Sequence, residues 1–207
     1  MLPDKLIIEI DKIIKTFSTK AISIREHPDA NINYEEMPES EKKHSISLMR
    51  INHCGEICAQ ALYQGQALTA RNPQIREIFE HSALEETEHL AWTESRIAEL
   101  GGRTSILNPL FYLASLTMGV TAGVIGDKWS MGFLEETESQ VSKHLGEHLN
   151  LISKLDTKSI AIIKQMKEDE EGHAILASQL GAVELPDVIK KVMQFASKIM
   201  VKTTYHI

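Results

Sequence analysis

Two short words constrain any fold this chain can adopt: Glu86-Thr87-Glu88-His89 and Glu170-Glu171-Gly172-His173. Residues three apart share one face of an α-helix, so Glu86 and His89 point together, as do Glu170 and His173. A single Glu-x-x-His is common on solvated helices and carries little weight. Here each copy follows a lone glutamate in a helical apolar pattern: Glu56 stands 30 positions before Glu86, and Glu138 stands 32 before Glu170. The chain repeats a half-site. A fold that honours both copies brings four successive helices together with carboxylates and imidazoles turned inward.

The 207 residues, 43% of them hydrophobic, suffice for one domain with a sizeable core. A formal charge of −7 argues against a nucleic-acid partner, which needs a clustered positive surface. Cys54 and Cys58 lie one helical turn apart. Such a pair can bridge or bind metal, but with Glu56 turned inward both point to the other side of the helix, and they read as packing residues in a reducing compartment. Met1 to Lys20 mixes Asp4, Lys5, Glu9, Asp11 and Lys12 with apolar residues, so no secretory signal is expected there.

Along the chain, Leu6 to Phe17 has helix-compatible apolar spacing, and Ala21 to Ser45, interrupted by Pro28 and Pro38, reads as a surface loop. Residues 1–44 are accordingly set apart as an N-terminal helix and loop, and 45–207 as the main domain. A long helix is predicted over Ser45 to Ala70, with Met49, Asn52, His53, Gln60 and Tyr63 on or near the face of Glu56. Another runs from Pro73 to Leu100 and stops at Gly101-Gly102. Glu85 and Glu88 are rotated away from Glu86 by about 100° and 200°, which makes them solvent-facing or outer groups beside the site rather than ligands. Thr104 to Gly126 holds no charged residue and approaches the length of a membrane span. Asn108-Pro109 and glycines at 119, 123 and 126 favour a core or membrane-facing helix instead, although Gly119-x-x-x-Gly123 fits transmembrane pairs equally well. Helices follow from Gly132 to Ile152 with Glu138, His144 and His148, and between Asp156 and Gly181 with Glu170 and His173. Glu135, Glu136, Glu168 and Glu171 are expected to face solvent. After Pro186 a Lys-flanked amphipathic helix offers an apolar face to the core and to a membrane or partner.

Four helices carrying Glu, Glu-x-x-His, Glu and Glu-x-x-His present the ligand set of ferritin-like di-iron and di-manganese carboxylate proteins. The expected fold is therefore all-α, a ferritin-like four-helix bundle with additional membrane-facing and C-terminal helices. Oxygen and imidazole donors favour iron or manganese over thiolate-seeking metals, and iron is the expectation here. Glu56 and Glu138 serve one metal each, Glu86 and Glu170 bridge, and His89 and His173 take one metal apiece. Two irons with open positions admit O2, but this spacing does not choose among monooxygenase, peroxidase, ferroxidase and desaturase chemistry.

Met49-Arg50-Ile51-Asn52-His53-Cys54-Gly55-Glu56 and Tyr63-Gln64-Gly65-Gln66 resemble the first-helix signature of the demethoxyubiquinone hydroxylase family. The likeness continues through Glu86-Thr87-Glu88-His89-Leu90, Gly126-Asp127-Lys128, Thr137-Glu138 and Asp169-Glu170-Glu171-Gly172-His173, and so covers most of the chain from Ser45 onward. Cys54 departs from that pattern without touching a ligand position. The resemblance implies O2-dependent hydroxylation of 2-polyprenyl-3-methyl-6-methoxy-1,4-benzoquinol in ubiquinone biosynthesis, with two irons on Glu56, Glu86, His89, Glu138, Glu170 and His173. His53, Tyr63 and His148 are candidates to hold a ring oxygen of the substrate. The walls of its path are expected in Leu110 to Val124 and Val188 to Met200. Peripheral attachment to the cytoplasmic face of a bacterial inner membrane follows from the prenyl tail and from the absence of an Arg-rich leader before the motifs. Other ubiquinone-biosynthesis proteins or a second copy of the chain are further candidate partners. The rival reading is a ferritin-like peroxidase or ferroxidase without an organic substrate.

Overall fold

Prolines and glycines punctuate the chain into helices. In the computed structural model, which describes residues 2–33 and 36–207, these are α1 (Leu2–Ser18), α2 (Glu39–Thr69), α3 (Pro73–Glu99), α4 (Asn108–Ile125), α5 (Asp127–Leu151), α6 (Thr157–Gln179) and α7 (Asp187–Thr204). Met1, at the start of the stretch read against a signal, and Tyr34-Glu35 of the expected loop lie outside the described residues. Among the described residues all regular structure is helical, as the apolar periodicity predicts.

The stops have visible causes. Asn72 caps α3 by accepting from the Gln74 N–H at 2.9 Å, with Pro73 at the first helical position, and Asp156 caps α6 by accepting from the Ser159 N–H at 3.0 Å. At the end of α3, Gly101 adopts φ 75°, and the Gly101 and Gly102 amides return to Ala98 and Ile97 at 2.9 and 2.8 Å, which closes a Schellman turn. Two boundaries differ from expectation. The α2 helix starts at Glu39, because Pro38 supplies the break and the charged turn after it is solvated, so no apolar stripe marks it. Residues 127–131, which precede the helix expected from Gly132, are the first turn of α5.

The bundle proper is α2, α3, α5 and α6. Its apolar core lies in two clusters that bracket the repeated acids along every helix. One gathers Leu62, Tyr63, Phe79, Met131, Leu134 and Ala177. The other gathers Met49, Trp92, Ile97, Leu145, Ile163 and Met166. Glu56, Glu86, Glu138 and Glu170 each fall in sequence between a residue of the first cluster and one of the second. Each large side chain contributes about 1.5–3 kcal/mol on burial, and together the clusters close both ends of a polar chamber.

The uncharged helix α4 packs on α2 at glycines. A Cβ on Gly119 would stand 2.0 Å from the Leu62 carbonyl oxygen, and one on Gly65 would stand 2.5 Å from that of Leu116. The Gly-x-x-x-Gly stripe therefore serves a helix contact inside this molecule. The opposite face of α4 leaves Leu110, Leu113, Val124 and Ile125 exposed; the helix is only 33% buried and has the length and composition to cross a membrane. Helix α7 runs beside α2 and α5, with Val188, Val192 and Phe195 outward. Helix α1 joins the bundle: Ile13 packs against the Ile57, Ala61, Leu90 and Tyr112 cluster, and the Phe17 ring meets Tyr112 edge-on at 5.2 Å.

Candidate metal centre

Each bundle helix brings one acid to the middle of the chamber. Glu56, Glu86, Glu138 and Glu170 are at most 1% exposed, an arrangement too costly for four bare carboxylates. The donors form two overlapping groups. Glu56, Glu86, His89 and Glu170 make one, and Glu86, Glu138, Glu170 and His173 the other, with donor atoms inside each lying within 4.8 Å of one another. Glu86 and Glu170 belong to both. The six residues singled out from sequence thus come together, and the two acids assigned as bridges are the two that are shared.

Histidine orientation follows the same logic. His89 Nδ1 faces Glu56, Glu86 and Glu170 at 3.4, 3.3 and 3.2 Å, and His173 Nδ1 faces Glu138 and Glu170 at 3.5 and 3.4 Å. Both oxygens of Glu86 and of Glu170, Oε2 of Glu138 and Nδ1 of His173 are buried without a hydrogen-bond partner. Unpartnered oxygens and imidazole nitrogens aimed at common points suit a pair of cations, and two divalent ions would neutralise the four carboxylates. These buried groups could hold a metal ion.

The electrostatics without cations are strained. Burial and then the Glu170 charge push Glu86 and Glu138 well above the usual carboxylate range. Glu170 is held low although burial opposes it, because Glu138, His173 and His89 crowd against it. Burial alone would depress His89, yet Asp169, Glu170, Glu56 and Glu86 hold it well above the ordinary imidazole value; Glu138, Glu170 and Glu85 do the same for His173.

The outer imidazole nitrogens meet Asp169, which was not singled out from sequence, and Glu85, which was expected as solvent-facing or an outer group. His89 Nε2 donates to Asp169 at 3.1 Å, and His173 Nε2 lies 2.9 Å from Glu85 Oε2. The acids cross: Asp169 precedes the α6 word and serves the α3 histidine, while Glu85 precedes the α3 word and serves the α6 histidine. A longer repeat, acid-Glu-x-x-His, was present in both words and is the signal that could have found them. Glu88, expected to be solvent-facing or an outer group, is buried instead: it accepts from the Ile24 and Arg25 N–H groups at 3.1 and 3.2 Å and from the Ser23 hydroxyl. Part of the expected surface loop is therefore tied to α3.

The three candidate substrate contacts have other neighbours. The Tyr63 hydroxyl donates to Glu138 Oε1. His53 Nδ1 meets Asn108 at 3.4 Å, and His148 Nδ1 meets the Asn52 side-chain oxygen at 2.7 Å. Burial lowers His53 to about 4 and His148 to about 3, so both are neutral. None of the three lines the cavity of about 300 Å³ that opens between α2, α4, α5 and α7 and has Glu56 in its wall. Phe111, Met118, Met193 and Met200 give it an apolar lining, with Asn52 and His144 as polar groups. Both expected wall segments contribute, although Leu116 packs instead toward Ile57 and Tyr112. A larger cleft of about 580 Å³ between α1, α2 and α3 touches none of the six clustered residues, so the smaller cavity is the one joined to the centre.

Residues 43–204 match the family described as Ubiquinone biosynthesis protein COQ7. The chain belongs to the COQ7 family. It is 56% identical to the 3-demethoxyubiquinol 3-hydroxylase of Laribacter hongkongensis over 204 residues, spanning 99% of both chains. Enzymes of the same name from Chromobacterium violaceum, at 54% over 99% of both chains, and Legionella pneumophila, at 50% over 99% of this chain and 97% of the relative, are similarly close. The COQ7 fold is a ferritin-like helical bundle, which is the architecture seen here. The COQ7 match starts at residue 43, beyond α1 and the Ser23 to Arg25 segment.

Proposed function

We propose that this protein is a di-iron hydroxylase that uses O2 to hydroxylate demethoxyubiquinol, 2-polyprenyl-3-methyl-6-methoxy-1,4-benzoquinol, in ubiquinone biosynthesis. The observation that carries this reading is the apolar cavity walled by α4 and α7 and reaching Glu56. Iron held by Glu56, Glu86, His89, Glu138, Glu170 and His173 would supply the O2 chemistry. The chain's own part is positioning and exclusion. Its two core clusters keep bulk water from the acids, and its histidines present Nδ1 inward. Met118, Met193 and Phe111 accept an apolar tail, and Asn52 or His144 are placed to meet a ring oxygen. The Tyr63 hydroxyl holds Glu138, which gives Tyr63 a role at a ligand rather than at the ring.

A ferroxidase or peroxidase without an organic substrate is not favoured, because it has no use for such a cavity and the relatives compared are named as hydroxylases. Membrane attachment at the cytoplasmic face of a bacterial inner membrane is part of the proposal. The exposed apolar face of α4 and the outward Val188, Val192 and Phe195 of α7, with Lys191 and Lys198 on the same helix, support it. A polyprenyl quinol dissolved in the bilayer would then enter between these helices.

Quinones extracted from a strain lacking the protein should contain the demethoxy precursor in place of ubiquinone; unchanged ubiquinone would overturn the assignment. Met193→Asp should cut turnover of a long-chain substrate at least about tenfold more than that of a short-chain analogue, with iron content unchanged, since it places a charge in an apolar lining. Equal loss on both substrates would move the passage elsewhere.

A further inference from the structure

Resting on the reading of the six residues as metal ligands, we infer that the two metal positions are unequal, the His89 position binding more tightly, and that Arg25 is the positioning residue that makes them so. The crossed acids show why. A hydrogen bond on the outer nitrogen of a ligating histidine fixes its tautomer and ring angle and strengthens the inner nitrogen as a donor. His89 has such a bond and His173 has an acid 2.9 Å from its outer nitrogen, but the two acids are supported very differently.

Asp169 is clamped. Arg25 donates to it from both guanidinium ends, at 2.7 and 3.3 Å, and the Gln165 amide donates at 3.0 Å. The paired donors of a guanidinium hold a carboxylate in orientation as well as in place. Arg25 is fixed in turn: its backbone N–H is bound by Glu88, its guanidinium lies 4.8 Å over the Trp92 ring, and the Trp92 indole N–H donates to Ser23 at 3.0 Å. The Trp92 ring stands 5.3 Å from that of His89, so one side chain backs both the imidazole and its support.

The other half lacks this frame. The Glu85 side chain is 33% exposed and is shared with His81, which is itself 70% exposed, at 3.1 Å; no arginine or lysine is ion-paired with Glu85 among the described residues. His173 is 11% exposed where His89 is sealed. Glu138 also accepts from the Tyr63 hydroxyl, which draws charge from that carboxylate, whereas among the described residues Glu56 has His89 as its hydrogen-bond partner. Every one of these differences weakens the same half.

Metal-free protein is titrated with Mn2+ while the signal of the free ion is followed by electron paramagnetic resonance. Two steps are expected, separated by at least about tenfold in affinity, with substoichiometric Mn2+ giving its anomalous scattering peak beside His89 in a crystal. Removing an outer partner of a metal-binding histidine weakens affinity by about 10–100-fold, so Arg25→Ala should bring the tight step down toward the weak one. Arg25→Lys, which keeps the charge and loses the fork, should recover part of the difference, and Glu85→Gln should weaken only the weak step. If Arg25→Ala does not fold, judged by thermal melting, Asp169→Asn replaces it with the same expected change. Two equal steps in the parent protein, or a tight step that survives both Arg25→Ala and Asp169→Asn, would overturn the inference and leave the ligand assignment standing. No Mn2+ binding in the parent would overturn that assignment and the inference with it.

Discussion

Arg96 shows how far a single residue can bind this bundle. Its side chain is buried, and it donates to Asp156 at 2.6 Å, to Ser159 at 3.0 Å and to Glu99 at 2.7 Å. Asp156 is the residue that caps α6, so one guanidinium ties the end of α3 to the start of α6. Arg96→Ala would leave the buried Asp156 side chain without its guanidinium, and chemical denaturation should show a loss of about 3–5 kcal/mol. A loss under about 1 kcal/mol would mean that water reaches Asp156. At this scale the six clustered acids and histidines were legible, because Glu-x-x-His is a statement about one helix and needs only its period. The partners of Glu85, Glu88 and Asp169 were not. Which acid meets which histidine depends on how α3 and α6 are rotated against each other, and no local pattern contains that angle. Arg96 sat in plain view, one turn beyond Trp92 in a buried stripe, where a charge demands a partner.

Helices α2 and α4 meet backbone to backbone, and glycine permits it. Gly119→Val would drive a side chain into the Leu62 backbone, where neither helix can yield without moving as a whole. The expected cost is about 1–3 kcal/mol or more, seen as a lower melting temperature, together with reduced occupancy of the cavity that α4 walls. Gly146→Ala is the control. It lies on α5, its Cβ would meet only the end of Lys167 at an ordinary 3.5 Å, and alanine there should stabilise by about 0.5–1 kcal/mol. Opposite signs at the two sites are the test. All the helices were legible as elements, but the first turns of α2 and α5 were not, since solvated turns carry no apolar stripe. The partner of α4 was equally hidden: Gly-x-x-x-Gly announces a close approach without saying to what.

For the molecule as a whole, the acid chamber sets the response to pH. Folded Glu86 and Glu138 hold protons above the ordinary value of 4.5, so without metal the folded state loses stability as pH rises from there toward their raised values. His89 and His173 reinforce the trend, because their contribution is complete below 6.5 and is lost as pH rises through their raised values. Glu170 opposes it only below 4.5, while His53 and His148, which burial keeps neutral, oppose it up to about 6.5. Above that point the chamber alone sets the sign, so chelator-treated protein should melt at a lower temperature near pH 9 than near pH 7, and divalent metal should remove or reverse the difference. A metal-free melting temperature that rises over that interval would contradict the chamber as described. The crossed acids carry a consequence for heredity. A lesion in one word is felt at the histidine of the other, so damage to Asp169 is in effect an α3 defect written in α6. Suppressor screens should therefore recover compensating changes in α3 or near Arg25, far along the chain from the original lesion.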